Sequence, residues 1–68
     1  MTRREFLSRA RKYARRTGQF FFFDPVRGKG SHGRVYVGEQ FTTVKRGELK
    51  KGALAEMLRQ LDIDQREF

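Results

Sequence analysis

The chain contains no cysteine and no tryptophan, only one proline, Pro25, and only one histidine, His32. Without cysteine there is no disulfide framework, no zinc-thiolate site and no thiol nucleophile. A single histidine without a cluster of carboxylates beside it does not make a zinc or magnesium site. We therefore expect neither a metal nor a small-molecule cofactor, and any catalysis must use the imidazole, a carboxylate, lysine, tyrosine or serine.

Long hydrophobic runs are also missing. No stretch reaches the roughly 18 consecutive apolar residues of a membrane-spanning helix, and the first residues lack the apolar core of a signal peptide. We expect a cytoplasmic protein without a membrane partner. A length of 68 residues predicts a single domain, residues 1–68, with a small core.

Positive charge, by contrast, is in excess. The chain has 16 lysines and arginines against 8 acidic residues, a formal net charge of +8. The cations concentrate in residues 1–17, 27–34 and 45–52, whereas acidic residues prevail after Ala53. Such a balance predicts an anionic partner, with nucleic acid as the leading candidate and a membrane surface as the weaker one.

Helical spacing of apolar residues marks both ends of the chain. Thr2 and Glu5 fit a capping box, and the helical pattern that follows ends at Gly18, which suits a left-handed cap. From about Lys50 the helical spacing returns. The apolar positions of this second helix are Leu54, Met57, Leu58 and Leu61.

Three segments between the helices favour β-strands: "QFFFFDP", "RVYVG" and "EQFTTV". A tight turn at Gly38 and Glu39 joins the last two as a hairpin. The order helix, three strands, helix predicts an α+β fold, α-β-β-β-α, in which both helices cover one face of a three-stranded antiparallel sheet. The other face then stays open.

The four consecutive phenylalanines must divide between the two faces of the sheet. Alternation pairs Phe20 with Phe22 and Phe21 with Phe23. We predict that Phe21 and Phe23 form the outward pair, together with Tyr36. Since these two have no cation beside them in sequence, we favour docking of a protein over stacking of bases.

His32 lies in the segment "RGKGSHGRVYVG". An isolated histidine is most often a solvent-exposed turn residue, but glycines and cations surround this one. Gly28, Gly30 and Gly33 would let the backbone approach an anion closely. The segment therefore predicts a phosphate site in which His32 transfers protons as general acid or base. Its predicted contacts are Arg27, Lys29, Gly30, Ser31 and Arg34.

A second cationic cluster precedes the last helix. Lys50 and Lys51 lie where the helix dipole is already positive, which costs roughly 0.3–1 kcal/mol per exposed cation. A bound anion would remove that cost, so both lysines are predicted contacts of backbone phosphate. A solvated lysine pair without a role is the alternative.

The stretch "GKGSHGRVYVG", followed by "FTTV" and then by "GELKKGALAEMLRQLDI", resembles the HicA family of type II toxins. The resemblance covers about residues 3 to 64. It implies a fold similar to a double-stranded-RNA-binding domain and the activity of a metal-independent endoribonuclease. Such an enzyme cuts mRNA and is held inactive by a HicB antitoxin.

The family depends on the histidine of its Gly-Ser-His motif, which corresponds here to His32, preceded by Gly30 and Ser31. The Lys-Gly at the helix entry corresponds to Lys51 and Gly52. A non-catalytic RNA-binding module with the same basic surfaces stays open as the alternative function. An antitoxin or DNA-binding accessory is disfavoured, because no helix-turn-helix pattern is present.

Overall fold

The structure is a computed structural model, and it describes residues 1–25 and 32–68. The predicted α+β fold and its element order are confirmed, with one antiparallel sheet in the order β1-β2-β3. Neither of the helices described is long and apolar enough to cross a membrane. The elements are α1 (Arg3–Arg16), β1 (Phe21–Asp24), β2 (Gly33–Val37), β3 (Gln40–Val44), α2 (Lys51–Gln60) and a 3-10 helix (Gln65–Glu67).

Helix α1 begins with the predicted capping box. The Thr2 side chain accepts a hydrogen bond from the backbone N–H of Glu5, and the Glu5 carboxylate accepts one from the backbone N–H of Thr2 at 2.9 Å. These bonds satisfy two amides that the first helical turn would otherwise leave without partners. Gly18 follows the helix with a φ of +68°, as predicted.

A two-residue turn joins β2 to β3. Gly38 has a φ of +62°, the left-handed conformation that such a turn requires. Val37 therefore pairs with Gln40, and the ladder continues to Gly33, which pairs with Val44. This register places Val35 and Val37 on the buried face of the sheet, as predicted.

Both helices pack against the face of the sheet that carries Val35 and Val37. The aromatic ring of Phe6 is fully buried beneath α1, and Leu61 closes the core at the end of α2. Burial of apolar surface at roughly 25 cal/mol per Å² is the main stabilising term. The core consists of Phe6, Ala10, Ala14, Val35, Val37, Val44, Leu49, Met57, Leu58, Leu61 and Ile63.

The start of α1 is tied to the segment that leads into α2. Thr2 forms an isolated antiparallel bridge with Glu48. The backbone N–H of Arg3 donates to the carbonyl of Gly47 at 2.9 Å, and the N–H of Leu49 donates to the carbonyl of Met1 at 2.7 Å. The sequence pattern did not predict this contact, which holds the two helix starts side by side.

The prediction that Phe21 and Phe23 point outward is wrong. Phe21 pairs with Val37 and Phe23 with Val35, so both lie on the core side of the sheet. Phe22 is 49% exposed, and it belongs to the open face instead. The cause is the register of β1 on β2, which the sequence of four identical side chains does not specify.

Gly33, predicted to let the backbone approach an anion, also has a packing role. A Cβ atom at this position would lie 2.7 Å from Cε1 and 2.9 Å from Cζ of Phe23. The Phe23 ring thus rests directly on the Gly33 backbone. Glycine is required here because an aromatic side chain of β1 occupies the space that a larger residue would need.

We expect Gly33→Ala to destabilise the protein by about 1–3 kcal/mol, the usual cost of overpacking a well-filled site. Gly52→Ala is the matched control, because no atom lies within 4 Å of a Cβ built there. Since Gly52 belongs to α2, alanine should stabilise it by up to about 1 kcal/mol. Urea unfolding of both variants measures the two effects, and equal midpoints would contradict the packing described.

The capping box should also make stability depend on pH. Hydrogen bonds from Thr2 hold the pKa of the Glu5 carboxyl below its ordinary value of 4.5. Because the folded-state pKa is the lower one, this stabilisation is complete above about pH 4.5 and disappears as pH falls through the folded-state pKa.

We expect Glu5→Gln, which keeps the shape of the cap, to lower the urea midpoint at neutral pH. As pH falls through the folded-state pKa of Glu5, the midpoint of Glu5→Gln should approach that of the wild type, because the Glu5 carboxyl then loses its charge. A difference between the two proteins that stays constant from pH 7 to pH 3 would refute this role of Glu5.

Candidate functional site

His32 is exposed and lies at the mouth of an open cleft of about 470 Å³. His32, just before β2, lines it together with β3 and the segment that follows β3, and α2 lines it as far as its last residue, Gln60. Its described lining is His32, Thr42, Thr43, Lys45, Glu48, Leu49, Lys50, Ala53, Glu56, Met57 and Gln60.

The hairpin register brings His32 and Lys45 to the same end of the β2-β3 hairpin. Gly33 and Val44 form the last pair of the ladder, and His32 and Lys45 are the residues just beyond it. Both line the cleft. Lys45 was not among the predicted phosphate contacts, although the two-residue turn at Gly38 and the pairing it imposes would have identified it.

Lys50 reaches the same cleft from the start of α2. It is the N-cap residue, with extended φ and ψ of −76° and 158°, and its side chain makes no capping hydrogen bond. The first turn of α2 contains no acidic residue. Within the part of the chain that the structure describes, no side chain caps the amides at this helix end, and they can donate to an anion in the cleft.

The cleft is not purely cationic, because Glu48 and Glu56 also line it. The carboxylate of Glu56 accepts hydrogen bonds from the Arg59 guanidinium and from the Gln60 amide. The hydrogen bond from Arg59 contributes most to holding the pKa of Glu56 below its ordinary value, so this group is ionised at neutral pH. Neither glutamate was among the predicted site residues.

A hydrogen bond between a strand and a helix forms the inner wall of the cleft. Thr42 is 2% exposed, and its hydroxyl donates to the Gln60 side-chain carbonyl. The Gln60 amide then donates to Glu56 at 3.2 Å. This chain of contacts links β3 to α2 along the lining of the cleft.

The predicted contacts divide into three groups. His32 and Lys50 line the same cleft. Lys51 borders a different cleft, between α1 and α2, which Arg9 and Phe68 also line. Arg34 lies on the open face of the sheet, with its guanidinium carbon 4.5 Å from the centre of the Phe41 ring.

The four remaining predicted contacts, Arg27, Lys29, Gly30 and Ser31, lie outside the described residues. Within residues 1–25 and 32–68, no three histidine or acidic side chains form a group that could hold a metal ion. The described part of the site thus consists of one imidazole, two lysines and two carboxylates around an open cleft.

No family model, curated protein or solved structure matches this chain.

The missing cap at Lys50 has a measurable consequence. We expect Lys50→Ser to stabilise the protein by about 0.5–1 kcal/mol, because the serine hydroxyl can accept a backbone N–H from the first turn of α2. Lys45→Ser is the matched control, since it removes the same charge from the cleft but lies outside the helix. An equal gain in urea midpoint for both variants would show that charge, not capping, is responsible.

Proposed function

We propose that this chain is the toxin of a type II toxin-antitoxin system, a metal-independent endoribonuclease that cuts mRNA in the cytoplasm. Cleavage would stop translation and arrest growth until a HicB-like antitoxin neutralises the enzyme. The observation that carries the proposal is the position of His32, exposed in an open cleft with Lys45 and Lys50. A proton-transfer group beside two phosphate-binding groups is what cleavage of a phosphodiester requires.

The proposed reaction uses the RNA itself as the nucleophile. The ribose 2′-oxygen attacks the neighbouring phosphorus, a P–O2′ bond forms and the P–O5′ bond breaks. The 2′-hydroxyl loses a proton and the departing 5′-oxygen gains one, and His32 acts as base, acid or both. The products are a 2′,3′-cyclic phosphate and a 5′-hydroxyl end, so DNA cannot be a substrate.

Lys45 and Lys50 would hold the phosphate through charge-assisted hydrogen bonds. The N-terminal amides of α2 would donate to the same phosphate. Arg34 and Lys51, on surfaces outside the cleft, would contact the RNA on either side of the cleaved bond. Arg27, Lys29, Gly30 and Ser31 remain predicted contacts of the same RNA. With a net charge of +8, binding should weaken steeply as salt rises.

The antitoxin is proposed to inhibit by covering His32. Because the imidazole is exposed and the cleft is open, a partner could bury it or place acidic groups where the phosphate binds. Blocking a single essential proton-transfer group is a direct route to inhibition.

The second candidate is a non-catalytic RNA-binding module. It is favoured by Glu48 and Glu56, whose negative charge reduces the attraction of the cleft for a phosphate at the reacting position. Under this alternative the basic surfaces still bind RNA, but His32 transfers no proton.

Replacement of His32 separates the two functions. Purified wild-type protein in EDTA should cut a labelled single-stranded mRNA and leave 2′,3′-cyclic phosphate ends. His32→Gln, which keeps size and polarity but cannot transfer protons near neutral pH, should lower the rate by at least about 100-fold. Circular dichroism should be unchanged, because His32 is exposed.

A control variant, Lys12→Gln, removes a charge from the exposed side of α1 and should retain cleavage. Equal cleavage by wild type and His32→Gln would reject His32 as the proton-transfer group. RNA binding by both proteins without cleavage by either would establish the binding module instead.

A further inference from the structure

Three aromatic side chains form a row across the open face of the sheet, one from each strand. Phe22 pairs with Tyr36, and Tyr36 pairs with Phe41. The ring centres lie 6.1 Å and 5.8 Å apart, with the planes tilted by 35° and 41°. Phe22 is 49% and Phe41 48% exposed. We call these three residues the aromatic row.

An exposed apolar row of this size is unusual on a protein surface that binds no partner. The core does not need it, because the core lies entirely on the helix-covered face. Substituting polar residues here would therefore remove exposed apolar surface at little cost to packing. The row indicates a binding surface.

A polar row separates the aromatic row from the His32 cleft. In the next outward positions of the three strands, Asp24 pairs with Arg34, and Arg34 pairs with Thr43. The Arg34 guanidinium lies over the Phe41 ring, while Thr43 lines the His32 cleft. Since outward positions of one strand repeat about every 7 Å, the aromatic row lies within one or two nucleotides of the cleft.

We propose that the aromatic row binds single-stranded RNA by stacking unpaired bases, and that it presents the strand to His32. The choice of RNA rests on the proposed function, whereas the stacking surface rests on the geometry of the open face. Aromatic rings and arginine planes are the platforms on which proteins stack splayed bases. Arg34 supplies the aromatic row with a cation. The lack of a cation beside Phe21 and Phe23 in the sequence was the reason to favour docking of a protein over stacking of bases.

Charge argues for this occupant over a second copy of the chain. Two molecules that each carry a net charge of +8 repel each other, whereas an RNA strand is attracted. Among the described residues, Arg34 and Asp24, one group of each sign, occupy the next outward positions of β2 and β1 beside the row. Duplex RNA is disfavoured, because its bases are stacked on each other and cannot lie on the rings.

Binding of short RNA in the His32→Gln background tests the proposal without interference from cleavage. The probe is a labelled single-stranded 12-nucleotide RNA containing 2-aminopurine, whose fluorescence falls when the base stacks. Phe22→Leu with Phe41→Leu keeps an apolar surface but removes both terminal rings. The matched control, Phe22→Tyr with Phe41→Tyr, keeps the rings and changes the same two positions.

We expect the leucine pair to weaken binding by about tenfold or more and to abolish the fluorescence change, while the tyrosine pair binds as the parent does. A duplex of the same sequence should bind the parent and the leucine pair equally. If the leucine pair and the tyrosine pair bind the single strand with equal affinity, the proposal is overturned. A protein is then the remaining partner for the aromatic row.

The outcome is independent of whether His32 is catalytic. Loss of affinity in the leucine pair supports the stacking surface even where the wild-type protein fails to cut RNA. Conversely, if the wild type cuts RNA and the leucine pair binds RNA as tightly as its parent does, the stacking surface is rejected. The assignment as an endoribonuclease then still stands.

Discussion

The turn at Gly38 and Glu39 fixes the pairing of β2 with β3, and most of this small protein depends on that pairing. With Val37 opposite Gln40, every later pair is determined, down to Gly33 opposite Val44. A shift of one residue would exchange the two faces of the sheet. The valines would leave the core, and the aromatic row would enter it. The same register brings His32 and Lys45, both of which line the cleft, to the end of the ladder opposite the turn.

A chain of 68 residues has a small core, so contacts between distant segments contribute more to its stability than in a larger domain. The bridge from Thr2 to Glu48 is one of them, since it joins the first residues of α1 to the segment before α2. The contact of Thr42 with Gln60 is another. Together they hold α2 against both its neighbours, and the cleft keeps its shape because its two walls are connected at the base.

Several arginines pack on aromatic rings, while two lysines line the cleft. Arg3 lies over Phe23 and Arg11 over Phe21, at 5.2 Å and 5.9 Å from the ring centres, and Arg34 lies over Phe41 on the other face. Each contact of this kind is worth about 0.5–1 kcal/mol at an exposed site. These arginines thus cover aromatic surface, because their aliphatic stems are apolar.

The sequence by itself determined the elements, the turn and the two helix starts, because periodicity, capping and glycine conformation are local properties. It also predicted His32 and Lys50 as site residues, and the structure places both on the lining of one cleft. Only the tertiary structure decided which phenylalanines face outward, since four identical residues carry no signal for register. It also separated Lys51 from Lys50 and added Glu56 to the cleft. These relations depend on how α2 rotates against the sheet, and that rotation is fixed by packing between residues far apart in the chain.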